Sequence, residues 1–264
     1  MIRVEGISVT FHRGTPMETK ALRELDLEVS GGQFVTVIGS NGAGKSTLLN
    51  ALSGEVIPQD GRILIDGQDV TRWPAPRRSG LVARVFQDPM IGTCESLTIE
   101  ENLALAAARG RTRGLKRAIG RGLRDEFRAK LRSLGLGLEG RLGDKVGLLS
   151  GGQRQAVSLL MATLSPAQVL LLDEHTAALD PKTAEFVLEL TRKIVSEHRL
   201  TTLMVTHSMR QALDFGDRTV MLHEGRVVLD VEGEARQRLD VPDLLAEFAR
   251  LRGQQLTDDS LLLD

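Results

Sequence analysis

The sequence predicts an α/β fold in which a parallel β-sheet core is joined by an antiparallel β layer and an inserted helical subdomain. Three observations carry this prediction. Continuous apolar β-type runs alternate with amphipathic helical runs, which is typical of a parallel sheet covered on both faces. Near the amino terminus, apolar and polar residues alternate instead, as in antiparallel strands with one exposed face. From about residue 92 to residue 165 the patterns are helical, with no convincing strand.

The first part of the chain is predicted to supply strands to both layers. Alternating patterns indicate antiparallel strands, whereas an unbroken apolar run indicates a buried strand that leads into a helix. The predicted elements in order are strands at Ile2–Phe11 and Leu22–Val29, a buried strand at Phe34–Ile38, a helix over Thr47–Leu52, a hairpin element at Gly61–Gly67 and a strand at Leu81–Phe86.

The rest of the chain is predicted to add helices first and then further strands. The helical patterns lie at Thr98–Arg109, Leu115–Leu134 and Gly152–Leu164. After them come strands at Val169–Leu172 and Thr201–Val205 on either side of a helix at Pro181–His198, a hairpin of Arg218–His223 and Arg226–Val231, and a last helix at Val241–Arg252. We therefore predict one domain over 1–264, with a core and β layer at 1–87 and 166–240, a helical subdomain at 88–165, and a helix and tail at 241–264.

Composition indicates an ordinary globular protein. The 264 residues are 41% apolar with a net charge of −1, and no apolar run approaches the roughly 20 residues that span a bilayer. The start, from Met1 to Glu5, carries charges where a signal peptide needs an apolar stretch, so we expect the chain to stay in the cytoplasm. Cys94 is the single cysteine, which excludes an internal disulfide and fits a reducing compartment.

One segment of the sequence is strongly basic. Residues 109–132 contain ten Lys or Arg against Asp125 and Glu126. Such a segment fits anionic lipid headgroups or nucleic acid, or it is simply a solvated helix face. Phe127 is the only aromatic residue in it, which argues against single-stranded nucleic acid. We expect no nucleic-acid partner.

A glycine-rich loop between the third strand and the first helix predicts a phosphate site. Glycines let successive backbone N–H groups point inward, and the helix start adds partial positive charge. In this pattern a lysine, here Lys45, reaches the β- and γ-phosphates, and a hydroxyl, here Ser46, ligates Mg²⁺. The chain is therefore predicted to bind a nucleoside triphosphate. The loop consists of Gly39, Ser40, Asn41, Gly42, Ala43, Gly44, Lys45, Ser46 and Thr47.

A second motif places two carboxylates at the end of a buried strand. Asp173 and Glu174 directly follow the apolar run Val169–Leu172. Ligands of open α/β sheets bind at this edge, so Asp173 is placed to hold the Mg²⁺ shell and Glu174 to orient and polarise an attacking water. Two acids after a strand are often only a solvated loop, but together with the phosphate loop they indicate hydrolysis.

A third motif, at the start of another helix, predicts a second anion site. Ser150, Gly151, Gly152 and Gln153 offer backbone amides, a hydroxyl and a helix dipole. One nucleotide does not need two γ-phosphate sites on one chain. The economical arrangement is a head-to-tail homodimer, in which the Ser150 loop of each subunit caps the nucleotide on its partner's phosphate loop.

Together these motifs resemble the ATPase subunit of ATP-binding cassette (ABC) transporters, and the resemblance covers nearly the whole chain. It implies the ABC ATPase fold and hydrolysis of ATP with Mg²⁺. Six family landmarks have candidates in the family's order: the phosphate loop at 39–46, Gln87 after a strand, the Leu149–Gln153 signature, the acid pair 173–174, the Ala178–Asp180 loop and His207 after a strand.

The resemblance also implies roles for single residues. His207 would contact the γ-phosphate and the surroundings of the catalytic water, while Gln87 would sense Mg²⁺ and that water. Asp180 would lie in the loop that crosses the dimer interface. The resulting catalytic set is Glu174, His207, Lys45 and Gln87, and the resulting metal set is Ser46, Gln87 and Asp173.

Three departures from the family pattern stand out. The tyrosine that stacks on adenine is replaced by Phe11, which retains a π-face for stacking or is instead a core residue. His175 stands where proline usually follows the catalytic glutamate. The signature helix has Ala156 and Met161 in place of arginines, so we expect it to be buried more deeply or to pack differently.

The function implied by the resemblance is that of an importer ATPase bound to the cytoplasmic face of the inner membrane. A separate membrane permease would dock near Gln87 and residues 90–105. Residues 173–182 and 252–263 are similar to an importer subgroup that works with an extracytoplasmic, often lipid-anchored, solute-binding protein, with amino acids among its substrates. The alternatives are an exporter of lipids or drugs and a soluble ABC protein of DNA repair or translation.

Overall fold

The structure, a computed structural model, describes residues 1–110 and 119–250. Over these residues its strands are β1 (Ile2–Phe11), β2 (Thr19–Val29), β3 (Phe34–Gly39), β4 (Asp60–Ile65), β5 (Gln68–Asp69), β6 (Val82–Val85), β7 (Val169–Asp173), β8 (Thr201–Val205), β9 (Arg218–His223) and β10 (Arg226–Glu232). Its α-helices are α1 (Lys45–Ser53), α2 (Ala75–Arg78), α3 (Ile99–Ala107), α4 (Arg121–Arg132), α5 (Gly151–Thr163), α6 (Pro181–His198), α7 (Met209–Asp214), α8 (Gly233–Gln237) and α9 (241–250).

Six strands form the core sheet, in the order β10-β9-β3-β8-β7-β6. The neighbours from β9 to β6 pair in parallel, and β10 pairs antiparallel with β9 at one edge. All six residues of β3 and the first four of β7 are buried. Burial on both faces explains why these two strands are almost wholly apolar.

The antiparallel layer has the order β2-β1-β4-β5 and packs over one face of the core sheet. From Leu25 to Val29, β2 alternates between buried and exposed residues, as the sequence pattern predicts. Helix α1 lies in the same apolar cluster, with Leu48 and Leu49 fully buried. This packing fixes the start of α1, and therefore the phosphate loop, against two sheets.

The helical subdomain packs on the opposite face of the core sheet. Leu103 of α3, Phe127 of α4 and Val157 of α5 are fully buried in one cluster with Leu170 and Leu172 of β7. The apolar signature helix α5 is largely buried there, including Ala156. In the parts of the chain that the structure describes, no helix combines the length and apolarity needed to cross a bilayer.

The predicted helix at Leu115–Leu134 is shorter than the sequence pattern indicates. Helix α4 begins at Arg121, and Gly120 is its N-cap with extended backbone angles (φ −102°, ψ 171°). Glycine is well tolerated at the N-cap position, which marks the start of the helix here. Residues 111–118, which include part of the predicted helix and part of the basic segment, lie outside the described residues.

Three short helices, α2, α7 and α8, are absent from the sequence prediction. Each has six residues or fewer, too short for a periodic pattern. Helix α2 delivers Arg78, which is fully buried and donates from its guanidinium to the carbonyls of Ala51, Leu52 and Thr71. Arg78 thereby satisfies the carboxyl end of α1, a long-range contact that no local pattern announces.

Candidate functional site

The phosphate loop connects β3 to α1, and two of its glycines are required because backbone carbonyl oxygens of other segments lie too close for a side chain. A Cβ at Gly39 would lie 2.4 Å from the carbonyl oxygen of Leu222, and one at Gly44 would lie 2.5 Å from that of Ala21. Gly44 is the N-cap of α1 (φ 101°), and within the described residues no side chain caps this helix. The first amides of α1 are therefore left for an anion.

Lys45 is buried at the base of this loop, with 5% of its surface exposed. Its Nζ donates to the carbonyl oxygens of Gly39 at 2.7 Å and Ser40 at 2.9 Å. Burial lowers the pKa of Lys45, while the nearby charges of Glu174 and Asp173 raise it. The lysine therefore lies within electrostatic range of both predicted carboxylates.

The acid pair lies at the end of β7, beside β8. Asp173 is the last residue of β7, and the Glu174 N–H donates to the Val205 carbonyl at 3.0 Å. Glu174 has left-handed backbone angles (φ 47°), which turn the chain out of the strand at this point. Its Oε1 lies 2.6 Å from His207 Nε2, with side-chain exposures of 11% and 49% respectively.

His207 is positioned by a network at the end of β8. Thr206 Oγ1 donates to Gln211 Oε1 at 2.8 Å, and Ser208 caps α7 by accepting from the Gln211 N–H. These bonds hold the residues on both sides of His207. The structure thus brings Glu174 and His207 into contact, although they are 33 positions apart in the sequence.

The Ser150 loop is a self-contained helix cap. Ser150 Oγ accepts from the Gln153 N–H at 3.3 Å, and Gln153 Oε1 accepts from the Ser150 N–H at 3.2 Å. This is a complete capping box, and Ser150 is exposed. Gly152 is needed for packing, because a Cβ there would lie 2.1 Å from Thr183 Cγ2 on α6.

The order and geometry of these motifs agree with the comparison to known proteins. The family model described as ABC transporter matches residues 22–177, more than half of the chain. The chain belongs to the ABC transporter family. It is an ATP-binding subunit of that family, and such subunits hydrolyse ATP to drive transport and function as dimers with membrane permease components.

Individual relatives match this ABC subunit over nearly its whole length. It is 45% identical over 248 residues to the tyrosine transport ATP-binding protein of Clostridioides difficile, which covers 94% of this chain and 98% of that protein. It is 36% identical over 227 residues to the phosphonates import ATP-binding protein PhnC 1 of Haloquadratum walsbyi, with 86% and 72% covered. A solved dimeric ATP-binding cassette in a post-hydrolysis state with ADP and Pi has a TM-score of 0.75 at 30% identity, with 88% and 98% covered. The predicted ABC ATPase fold is confirmed.

The site of this ABC ATPase fits ATP and Mg²⁺. The uncapped start of α1 and the Lys45 ammonium suit phosphate oxygens, and the predicted metal-binding residues, Ser46, Gln87 and Asp173, offer hydroxyl, amide and carboxylate oxygens. In the described part of the chain, no three His, Cys, Asp or Glu side chains cluster as a metal cage would require. Mg²⁺ usually binds through one or two carboxylates together with substrate phosphates.

The remaining predicted site residues are exposed. Gln87 is exposed just after β6, and the carbonyl of Phe86 before it accepts from Gln155 Nε2 of α5 at 3.2 Å. Asp180 caps α6 by accepting from the Thr183 N–H at 3.1 Å, and its bonds with Thr183 hold the pKa of Asp180 below its ordinary value. Phe11, at the end of β1, is 36% exposed, so it is not a core residue.

Two residues beside the site were not predicted to take part in it. Arg84 of β6 donates to Asp173, and the only signal for it was an arginine inside an apolar strand. His175 is buried, and its Nε2 lies 2.9 Å from Thr191 Oγ1 of α6. Because the Thr191 hydroxyl already donates to the Val187 carbonyl, His175 must donate through Nε2–H. Burial lowers the pKa of His175 to about 4.

Helix α9 lies beside the phosphate loop, which the sequence did not indicate. An open cleft of about 830 Å³ is lined by Ser40, Asn41 and His207 on one side and by Leu245 and Phe248 on the other. Leu244 anchors the helix in a small core with Ile38, Ala212 and Met221. The end of the described chain is thus placed next to the nucleotide site.

Proposed function

We propose that this chain is the ATPase of an importer that takes up an amino acid through a separate permease, with an extracytoplasmic solute-binding protein delivering the substrate. The observation that carries the proposal is the 45% identity to a tyrosine transport ATP-binding protein over 98% of that protein. A second relative is named for phosphonate import. The subunit would then lie on the cytoplasmic face of the inner membrane, attached through the permease.

The contacts at the sheet edge support a specific division of labour in hydrolysis. Glu174 would hold and polarise the attacking water, and its 2.6 Å contact with His207 would keep the carboxylate in place. Lys45 and His207 would stabilise charge on the transferred phosphoryl group, and Gln87 would contact the water from the end of β6. Mg²⁺, when bound by Ser46, Gln87 and Asp173, neutralises charge on the phosphate oxygens.

The Ser150 loop supports a shared site in a homodimer. Its serine is exposed, and a hydroxyl that accepts one hydrogen bond keeps its own hydrogen for another acceptor. Ser150 would accept from the Gln153 N–H and donate to the nucleotide held by the partner's phosphate loop. Closing the dimer would place Asp180, at the start of α6, in the interface.

Exposed apolar side chains support docking of the permease beside Gln87. Met90, Ile91 and Leu105 are 42%, 67% and 43% exposed, and they lie in the stretch predicted for this contact. Gln155 links the backbone next to Gln87 to α5 at 3.2 Å. A shift of α5 on nucleotide binding would therefore be passed to the docking surface.

Affinity capture from native membranes would test the proposal. Tagged Glu174→Gln protein with MgATP is expected to stay in the closed dimer, because it binds the nucleotide without turning it over, and to recover a polytopic permease together with a solute-binding protein. The matched control is Lys45→Ala in the same background, which should bind ATP weakly and recover less. The recovered binding protein should bind an amino acid, and tyrosine is the first to titrate.

Other outcomes of the capture would each contradict one part of the proposal: import, the transporter assignment or the substrate class. A permease recovered without any solute-binding protein would favour export. Ribosomal proteins or nucleic acid in place of a permease would reject the transporter assignment of this chain while leaving its ATPase activity intact. A solute-binding protein that binds no amino acid would reject the substrate class alone.

A further inference from the structure

Arg84 is a largely buried arginine whose contacts converge on the proposed metal site. Its side chain is 9% exposed, and its Nη2 donates to Asp173 Oδ2 at 2.6 Å. Its Nη1 donates to Asn50 Oδ1 at 2.7 Å and to Glu55 Oε2 at 2.9 Å. The guanidinium carbon also lies 4.7 Å from the centre of the Phe86 ring. One side chain thus joins four groups that lie on or just after three elements, α1, β6 and β7.

These three elements are the ones that supply the proposed metal-binding residues. Asn50 is on α1, four positions after Ser46 and hence on the same helix face. Phe86 directly precedes Gln87 at the end of β6, and Asp173 ends β7. Arg84 itself lies on β6 opposite Leu171 of β7. A change in the Arg84 contacts would therefore move the three oxygen donors relative to one another.

We propose that Arg84 is a positioning residue for the metal site. It holds Asp173 through Oδ2 so that Oδ1 is presented to the Mg²⁺ of the bound nucleotide. It also keeps α1, β6 and β7 at fixed positions around that ion. The inference rests on the proposed role of Asp173 as a metal ligand. Partners that orient metal ligands typically change metal affinity by about ten- to a hundredfold when they are removed.

The charge of Arg84 and its positioning of Asp173 have opposite effects on the affinity for a divalent ion. A cation beside a metal ligand repels the metal, so an Arg84 that acted only through its charge would weaken metal binding. Its removal would then tighten the binding of a divalent ion. If Arg84 acts by holding Asp173, its removal weakens that binding instead.

The test measures divalent-ion binding directly. Mn²⁺ is titrated into the purified protein with ADP and followed by the paramagnetic resonance signal of free Mn²⁺, and ADP affinity is measured separately in EDTA. In Arg84→Met, Mn²⁺ affinity should fall about tenfold or more, while ADP affinity in EDTA stays within about twofold, since Lys45 and α1 hold the phosphates. An unchanged or tighter Mn²⁺ affinity in Arg84→Met overturns the proposal.

Two further variants separate geometry from charge and from folding. Arg84→Lys retains the charge, but an ammonium cannot reproduce a planar fork that serves Asp173 and Asn50 from two nitrogens. It should therefore also weaken Mn²⁺ binding, and it provides the test if Arg84→Met does not fold. Glu55→Gln removes a different partner of Arg84 and should leave Mn²⁺ affinity within about twofold. A loss in Glu55→Gln as large as that in Arg84→Met would overturn the specific link to Asp173.

Asp173→Asn distinguishes failure of this inference from failure of the site assignment. Weakened Mn²⁺ binding in Asp173→Asn with normal binding in Arg84→Met would reject only the role of Arg84. Normal Mn²⁺ binding in Asp173→Asn would remove Asp173 from the metal site, and the role of Arg84 with it. In the double variant, the loss should be smaller than the two single losses combined, since Arg84 acts in part through that carboxylate.

Discussion

The phosphate loop and the Ser150 loop both bring glycines and hydroxyls to the start of a helix, but within the described chain only the helix after the Ser150 loop is capped by a side chain. Helix α1 begins behind Gly44, and no side chain in the described residues caps it. Helix α5 begins behind Ser150, which forms a complete capping box with Gln153. One helix end keeps its amides for a ligand, while the other is largely satisfied within its own chain.

The glycines of the two loops also serve different purposes. Gly39 and Gly44 allow the phosphate loop to lie against backbone carbonyls, which shapes the loop itself. Gly152 allows α5 to lie against Thr183 of α6, which places the whole helix and not the loop. The glycines of the phosphate loop therefore shape the loop itself, whereas Gly152 fixes where α5 and its exposed Ser150 lie.

The largest expected effect is on ATPase activity when two inactive variants are mixed. This experiment tests whether the Ser150 loop of one subunit completes the phosphate site of its partner. Ser150→Arg should bind ATP normally and Lys45→Ala poorly, and each alone should hydrolyse ATP about a hundredfold or more slowly, because each lacks groups that stabilise the transferred phosphoryl. In mixed dimers, one of the two shared sites combines an intact Lys45 with an intact Ser150. Steady-state ATPase assays should therefore show recovered activity on mixing.

The control for that experiment is Ser133→Arg, which adds the same charge at the exposed end of α4 and should retain activity. If mixtures of the two inactive variants stay inactive at every ratio although mixed dimers form, the Ser150 loop does not complete the partner's site.

Lys45→Ala by itself tests whether the lysine of the phosphate loop binds the phosphates of ATP. Loss of a charged, buried donor to phosphate should weaken ATP affinity about ten- to a hundredfold, measured by titration with a fluorescent ATP analogue. Lys130→Ala, on the surface of α4, is the matched control and should bind ATP as wild type does. Equal affinity in wild type and Lys45→Ala would mean that this lysine does not hold the phosphates.

Gly152→Ala tests the packing that places the Ser150 loop. The added Cβ would meet Thr183 Cγ2 at 2.1 Å, whereas at Gly151 it would meet the flexible end of Leu179 at 3.2 Å. Overpacking of this kind should lower the free energy of unfolding by about 1–3 kcal/mol, measured by denaturant titration. Gly151→Ala should cost clearly less, and equal losses in the two variants would show that the close contact with Thr183 is not what limits this position.

His175 joins the end of β7 to α6, because it follows Glu174 and donates to Thr191 of α6. Burial lowers the pKa of His175 to about 4, so the unfolded chain takes up its proton near pH 6.5 while the folded protein stays neutral. Stability is therefore lost as the pH falls from about 6.5 towards 4. The loss between pH 7 and pH 5 is about 2 kcal/mol, and His175→Asn should remove that part of the pH dependence of unfolding. An identical pH dependence in the variant would show that His175 is not the group responsible.

The elements best predicted from the sequence are those whose pattern is local and long. The strands β3, β7 and β8 and the helix α6 lie within one residue of their predicted bounds, because unbroken apolar runs and a proline start are visible without the fold. Helix α4 begins at Arg121, six residues after the predicted start, and Gly120 is its N-cap. The short helices α2, α7 and α8 depend on contacts such as those of Arg78, which come from distant parts of the chain.

The site residues likewise divide into those that a local sequence pattern predicts and those that depend on contacts between distant parts of the chain. The glycine, lysine and serine pattern of the phosphate loop predicts phosphate binding at once, because consecutive residues carry that chemistry. The contact of Glu174 with His207 and the bonds of Arg84 join residues from different strands. The sequence does not single out Arg84, since an arginine in a strand usually lies at the surface, and only its low exposure and its contacts show that it is paired.

By itself the sequence determined the family, the α/β class and the use of ATP, since these follow from short motifs whose residues are adjacent or fall in a set order. The tertiary structure alone decided which oxygen of Asp173 is held, which partner Glu174 contacts, and that α9 lies beside the phosphate loop. These features depend on strand order and on the register of neighbouring strands, and both are set by the burial of side chains over the whole core.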